Sequence, residues 1–527
     1  MSPQTAEESS RYRGRTQQNL ALAGIMLPLL ALNTVSGFAI AAVPQAITSL
    51  NGFDRYSWPA TAFLLTSTIT MPVFAKLSDL YGRKWFYLFG ASMCLAYAVL
   101  AGSAGALPIP VDGMSQLIAG SALIGLGQAS IMVLSFTLVA DLFPPLERGR
   151  YQGILAAVSI VPFTFGPSLG GWVTDHFSWR LAYYVNVPLD LIAMVTILFT
   201  LPGFRPREAS RPIDWAGILV LCGWLAPLLL ALTWVGQTAW RAPLNLALLI
   251  ASAILLVVFL LVELRVKEPL LNLGLFRERR IALVCLNLFL MGGAVYGASV
   301  YLPLFLQGGL GASATTTGAM FALYVLATMA GSLLGGRLLS RTGSQHYAAI
   351  AGAGLAAVGL FLFSRMAGGT TQPEVLRNVI LCGIGLGVLT PTYEVLVQNA
   401  APAGTMGVAT GITQFSRAVG GSVALAIFGT MLLRIYHGHM DNLIPLGASA
   451  ELRLAFDDPL KLTLAKPNLN GAAAGVANVG SVLISLLNGA RASLISALQS
   501  IFVATSAALA VSCLVNLFIA RSTLPED

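Results

Sequence analysis

Ala75-Lys76-Leu77-Ser78-Asp79-Leu80-Tyr81-Gly82-Arg83-Lys84 packs four charged side chains into ten residues, in a chain of 527 where charged residues make up only 10%. An apolar run, 58–77, leads into this stretch and a second, 85–106, leaves it. About 20 apolar residues suffice to cross the ~30 Å hydrocarbon core of a bilayer as a helix. In lipid the backbone must satisfy its own polar groups, so only helices and closed barrels span. The two-residue alternation that a barrel needs is absent, and the quoted stretch therefore reads as a tight polar loop between two spanning helices.

Working outward from that loop, apolar length and breaks at Gly, Pro and charge give spans near 20–47, 58–77, 85–106, 115–140, 152–174 and 180–201. Two more, near 214–234 and 243–264, precede a basic linker at 265–280. A second set of six follows near 281–306, 315–339, 346–365, 375–398, 407–433 and 492–520. The fold class is thus an all-α polytopic membrane protein with fourteen transmembrane helices. The expected division is a tail 1–19, a six-helix bundle 20–201, an inserted helix pair with its linkers 202–280, a second bundle 281–520 and a tail 521–527. The segment 434–490 is too polar and broken to span and is expected to fold on the outer surface. The first apolar run follows basic residues, but it is longer than the ~7–15 residues of a signal core and is kept as helix 1.

Composition excludes the soluble alternative: 56% of residues are hydrophobic, and mean hydropathy is +0.78. The net charge of +8 could suggest nucleic acid, but the basic residues sit on alternate loops. Arg11, Arg13 and Arg15 precede the first span, and further clusters include Arg148/Arg150, Arg205/Arg207/Arg211 and Arg277/Arg279/Arg280. That is the positive-inside pattern, which puts both termini in the cytoplasm and the chain in the plasma membrane as a multi-pass protein. No nucleic acid is expected. The five cysteines lie inside apolar runs without CxxC spacing, and His437 and His439 have no third ligand nearby, so neither a disulfide nor a metal site is implied. No cofactor is expected. Gly383-Ile384-Gly385-Leu386-Gly387 lies inside an apolar span with no preceding strand and reads as helix packing, not as a dinucleotide loop.

One pair of loops suggests an internal repeat: 75–82 aligns with Gly336-Arg337-Leu338-Leu339-Ser340-Arg341-Thr342-Gly343. The two occupy equivalent places only if the middle pair of spans is an insertion between two six-helix halves.

At this point the residues resemble a known family. Lys76 to Lys84, with Asp79, Gly82, Arg83 and Lys84 in place, looks like the loop signature of the major facilitator superfamily. Gly166-Pro167-Ser168-Leu169-Gly170-Gly171 looks like its helix 5 antiporter signature. With fourteen spans, the chain is similar to the fourteen-helix drug:proton antiporters over nearly its whole length. The resemblance implies the major facilitator fold and export, with a proton gradient as the energy source. Asp79 would face the N-terminus of helix 13, where a carboxylate is stabilised by ~0.3–1 kcal/mol. Gly82 permits the tight loop, and Arg83 and Lys84 are placed to pair with Asp79, Asp141 or lipid phosphates. The plainer reading of the loop is a topogenic basic cluster. In helix 5, Pro167 removes a backbone bond and Gly166, Gly170 and Gly171 allow close packing, which ordinary helix contacts would also explain.

Charges inside spans are costly and are candidates for function. Asp190 falls near mid-helix 6, with Asn186 one turn away on the same face. Glu394 lies in helix 12, and Arg417 in helix 13 has Gln414 on its face. Two roles stand for the acids: proton uptake that releases substrate, or, for Glu394, a permanent pair with Arg417. Tyr296, Tyr301, Tyr324, Tyr393 and Trp224 line an aromatic cavity or face lipid. Two departures from the family matter. Helix 1 offers Asn33 where proton-coupled members usually carry an acid, and helix 4 has Ser121 ahead of Gly125-Leu126-Gly127-Gln128 where they carry an Arg. The functional expectation is a monomeric secondary transporter that exports small hydrophobic or amphipathic, cationic compounds by proton antiport. The alternative is a lipid or glycolipid translocator of the same fold. A membrane sensor or intramembrane enzyme is the third reading, and no constellation of His, Asp and Ser at one depth supports an enzyme.

Overall fold

The structure is a computed structural model that describes residues 15–108, 110–143, 145–201, 215–234, 242–266, 273–342, 345–400, 406–443, 456 and 479–519. Fifteen α-helices occur among them, and two of these, Trp179–Tyr184 and Asn186–Thr200, run on as one rod, leaving fourteen rods. They are α1 (Arg15–Ser49), α2 (Trp58–Tyr81), α3 (Arg83–Gly102), α4 (Gly113–Leu142), α5 (Pro145–His176), the two-piece α6, α7 (Trp215–Trp234) and α8 (Pro243–Arg265). The second set comprises α9 (Arg279–Leu304), α10 (Ala314–Thr342), α11 (Gln345–Ser364), α12 (Gln372–Ala400), α13 (Met406–Leu443) and α14 (Val479–Leu517). No strand occurs among the described residues, and eleven of the helical segments there are long and apolar enough to cross a membrane.

Local chemistry sets the breaks. Gly82 has φ 97°, a left-handed conformation open to glycine, and this single residue separates α2 from α3. Asp112 starts α4 as an N-cap, accepting from the Ser115 amide. The break in α6 at Val185 follows from Pro188, which has no amide to give the Tyr184 carbonyl.

Packing shows the repeat across both halves. In the first bundle α1 lies on α5 and α6, α2 on α4, and α3 on α4 and α6. In the second, α9 lies on α13 and α14, α10 on α12, and α11 on α12 and α14. Each pair recurs eight rods later, so the loop pair at 75–82 and 336–343 belongs to a repeat of the whole half. The inserted α7 and α8 form a hairpin whose α7 rests on both α2 and α13. On α8, Leu244, Leu246, Ile250, Ile254, Val257, Leu260, Leu261 and Leu264 are exposed, and the buried residues form a narrow face of Asn245, Ser252, Phe259 and Glu263, so most of the helix surface suits lipid.

The segment 434–490 differs from the expected outer-surface loop at both ends. α13 continues through Leu443 and α14 begins at Val479. Polar residues such as His437 and Asp441 shortened the apolar run, but a helix can project beyond the hydrocarbon with its polar turns in water. Apart from Phe456, the middle of the segment lies outside the described residues, as do most of both tails.

Candidate functional site

The halves meet along two seams, α5 against α10 and α2 against α13, with α1 touching both α9 and α10. In the α5–α10 seam the antiporter-like residues face two ways. Gly166 and Gly170 lie against Gly37 and the Phe38 backbone of α1, whereas Gly171 abuts the Ala314 carbonyl and the Pro167 carbonyl abuts Gly318 of α10. A Cβ at Gly171 or Gly318 would collide with backbone, so these glycines permit the close approach of the two halves.

Further contacts between the halves lie at the end opposite the basic loops. Gln307 donates to the Ala41 carbonyl (3.0 Å), and the Tyr56 hydroxyl donates to the Val300 carbonyl (3.2 Å). Tyr56 also faces Tyr301 with ring centroids 6.1 Å apart. Asp175, one residue short of the end of α5, reaches across to the start of α10. Its Oδ1 accepts from the Ala314 amide (3.1 Å), and its Oδ2 accepts from the Thr315 amide (2.7 Å) and hydroxyl (2.6 Å). Gln45 of α1 donates a longer bond of 3.3 Å to Oδ1.

Inside the second bundle, α9, α12 and α13 enclose a small cleft with a cavity volume of about 10 Å³, lined by Leu288, Met291, Thr390, Glu394, Gln414 and Arg417 among others. Arg417 donates to Oε1 of Gln414 (2.7 Å), and Gln414 donates from Nε2 to Glu394 at 3.4 Å. The two charged residues are therefore linked through an amide. The ion pairs found among the described residues are Arg55 with Asp54 and with Asp112, so Glu394 and Arg417 are not in direct contact. Three residues on neighbouring helices thus converge on one site; Gln414 and Arg417 share a face, and the fold brings them to Glu394.

Asp190 is placed elsewhere. It is buried, and Asn186 donates to its Oδ2 at 2.8 Å, which bears out the one-turn spacing. The helix that carries it packs on α1 and α3 of its own bundle, and Cys94 of α3 lies close enough to feel its charge. The Asn186 side-chain oxygen has no hydrogen-bond partner among the described residues. Asp190 and Glu394 thus occupy separate bundles.

The remaining candidates divide by role. Asn33 spends its amide on the Leu29 carbonyl of its own helix (2.7 Å). Gln128 holds a buried Oε1 with no hydrogen-bond partner among the described residues. Arg83 donates to the Thr137 carbonyl (3.2 Å) and Lys84 to the Leu198 carbonyl (2.6 Å), tying α3 to α4 and α6. The side chains of Asp79 and Asp141, and the chain before Met406, lie outside the described residues. Among the aromatics, Tyr393 joins Ser512, Asn516 and Asn287 in a buried polar network, and Tyr301 is fully buried between the halves. No group of three potential metal ligands occurs among the described residues.

The model of the Major Facilitator Superfamily matches residues 25–425. The chain belongs to the major facilitator superfamily. As a member of that superfamily it is similar to the multidrug transporter protein MdtP of Bacillus subtilis, 29% identical over 427 residues that cover 80% of this chain and 77% of that protein. It is also 32% identical over 453 residues to an uncharacterised MFS-type transporter, Rv1877, of Mycobacterium tuberculosis, covering 85% of this chain but 64% of that one. A solved structure of a bacterial homologue of the human lysosomal transporter Spinster superposes with a TM-score of 0.63 at 13% identity, covering 97% of this chain and 100% of that one, and so shares the fold. The chain is thus a multi-pass membrane transporter, and its transporter relatives imply a small-molecule substrate.

Asp175 escaped the reading of the sequence. Its acidic side chain four residues after Gly171 was the available signal, but its partners lie some 139 residues on, and only the fold brings them together.

Proposed function

We propose that this protein exports hydrophobic or amphipathic cations by alternating access, with proton uptake at Glu394 driving the cycle. The observation that carries the reading is the Glu394–Gln414–Arg417 relay in the pocket between α9, α12 and α13. A carboxylate directly paired with arginine would be held ionised, and breaking such a pair is costly. Here the glutamine separates the two charges, so Glu394 is free to exchange a proton or a cationic substrate without leaving a bare arginine. Protonation neutralises the acid and releases the cation. The missing helix 1 acid supports the same site, since Asn33 donates its amide to its own backbone and has no acidic group to take up or release a proton. The basic loops define the cytoplasmic end by the positive-inside rule, with both termini there, and the likeness to MdtP favours drugs as cargo.

The test is efflux of a lipophilic cation from vesicles of purified protein under an imposed proton gradient. Glu394→Gln is expected to lose gradient-driven export at least tenfold, roughly the effect of ~1.4 kcal/mol or more at a coupling step, while Asp190→Asn retains most of it. Export that ignores both the gradient and Glu394→Gln would remove proton antiport and favour lipid translocation. Loss in Asp190→Asn alone would move the proton site into the first bundle.

A further inference from the structure

Whatever moves through the protein, the end opposite the basic loops must open, and Asp175 stands among the contacts that shut it. Asp175 accepts three hydrogen bonds from Ala314 and Thr315, the first residues of α10, and a fourth from Gln45. The first amides of a helix have no partner within it, and an acidic side chain there complements the helix dipole as well as the donors. Most helices receive that cap from the residue just before them. α10 has that local cap, Ser313 accepting from the Thr316 amide (3.1 Å), and Asp175 takes the two amides before it from the other half of the molecule, across the seam in which Gly171 and Gly318 let the backbones touch.

We infer that Asp175 is the clasp of the outer gate: by accepting from the Ala314 and Thr315 amides of α10 across the seam it holds the two halves closed, and opening requires that these bonds break while Ser313 keeps its local cap. This rests on the alternating-access reading above and adds the residue that sets its resting equilibrium. Asp175 is a positioning residue, acting through α10 and not on the cargo.

The clasp works at constant charge. Partial burial opposes ionisation of Asp175, but the donors from Thr315, Ala314 and Gln45 outweigh it and hold the carboxyl below its ordinary range. On opening, the donors leave and the group returns toward the usual carboxylate value near 4. The closed state therefore keeps its full advantage above roughly pH 4 and loses it only as pH falls through the lower, closed-state value. His176, the next residue on α5, is stacked on Trp172, and among the described residues no charged side chain of α1 or α10 acts on Asp175. Between pH 5 and 8 the clasp is thus indifferent to protons, and coupling is left to a different group.

The experiment is a spin-label distance measurement on the full chain in nanodiscs, between labels at Leu107→Cys and Gly369→Cys. Leu107 is 38% exposed on the first bundle, and a side chain at Gly369 on the second meets open space. Asp175→Ala is expected to raise the ratio of long to short distances about five- to tenfold at pH 7, the usual cost of a lost cap. Asp175→Asn, which keeps one acceptor, falls between it and wild type, and Thr315→Val gives a smaller rise in a chain whose helix caps are otherwise intact. A distribution unchanged in Asp175→Ala would overturn the clasp, and an effect that vanishes at pH 5 would overturn its constant charge. Wild-type chain that shows no gradient-driven efflux, while Asp175→Ala still opens, would sink the export proposal and leave the clasp standing.

Discussion

Two acids inside spans looked alike in the sequence and have different surroundings in the fold. Asp190 depends on Asn186 for its hydrogen bond, and both side chains are buried. Removing the one donor to this buried carboxyl among the described residues leaves its desolvation uncompensated, which costs ~1–3 kcal/mol. Asn186→Ala is therefore expected to lower the midpoint of thermal unfolding in detergent, and a midpoint equal to wild type would show that water reaches Asp190. The spacing of four made this pair readable in advance, because helix geometry alone puts i and i+4 on one face. Which way that face points depends on tertiary packing, and periodicity in a span that is apolar all round carries little of it. The link from Glu394 to Arg417 through Gln414 lay at the same limit: Gln414 and Arg417 share a face three residues apart, but their meeting with α12 is a property of the bundle.

The inserted hairpin shows what element-scale packing adds. α7 contributes Leu221, Trp224, Leu225 and Leu229 to a cluster with Phe259 of α8 and with Val419 and Ala426 of α13, and Leu65 and Ile69 of α2 pack against it. Thr430 of α13 donates to the Leu232 carbonyl at 2.7 Å, fastening the same helix. α7 therefore fills the α2–α13 seam and links the halves there, while α8 turns most of its surface to lipid. Truncating a buried leucine costs ~2–5 kcal/mol in well-packed cores, and exposed positions usually change stability by less than ~0.5 kcal/mol. Leu225→Ala, at a fully buried site, should lower thermal stability clearly more than Leu244→Ala, at 57% exposure on α8. Equal effects would mean that the hairpin floats beside the bundles. The existence of the hairpin was legible as two apolar runs between the halves, since length alone marks a span. Its docking was hidden because Leu and Val that face lipid and those that face protein are the same residues.

At the scale of the molecule, the repeat turns one protein into two similar bodies, and function depends on how they rock against each other. The loop pair at 75–82 and 336–343 was enough to propose the halves, because a tight polar loop between spans is a strong local signal. The seam between them was legible only in part: the Gly-Pro-Gly-Gly run marked α5 as a close-packing helix, while the glycine that answers it, Gly318 on α10, stood in no motif. These two positions make the rocking testable independently of any charge. A side chain at Gly318 meets the Pro167 backbone across the seam, whereas one at Gly336, on the same helix, meets nothing within 4 Å. Backbone cannot give way as a flexible side chain does, so Gly318→Val must push α10 off α5 at the closed end, and overpacking of this kind typically costs ~1–3 kcal/mol of the state it strains. The expected outcome is a shift of the Leu107–Gly369 label distance toward longer values in Gly318→Val with Gly336→Val unchanged. Because the strain falls on the closed state alone, the efflux rate should change while the protein remains folded. If Gly318→Val instead lowers thermal stability without moving the distance, α5 and α10 separate too little in the cycle to be the gate, and the motion must be assigned to the α2–α13 side that α7 fills.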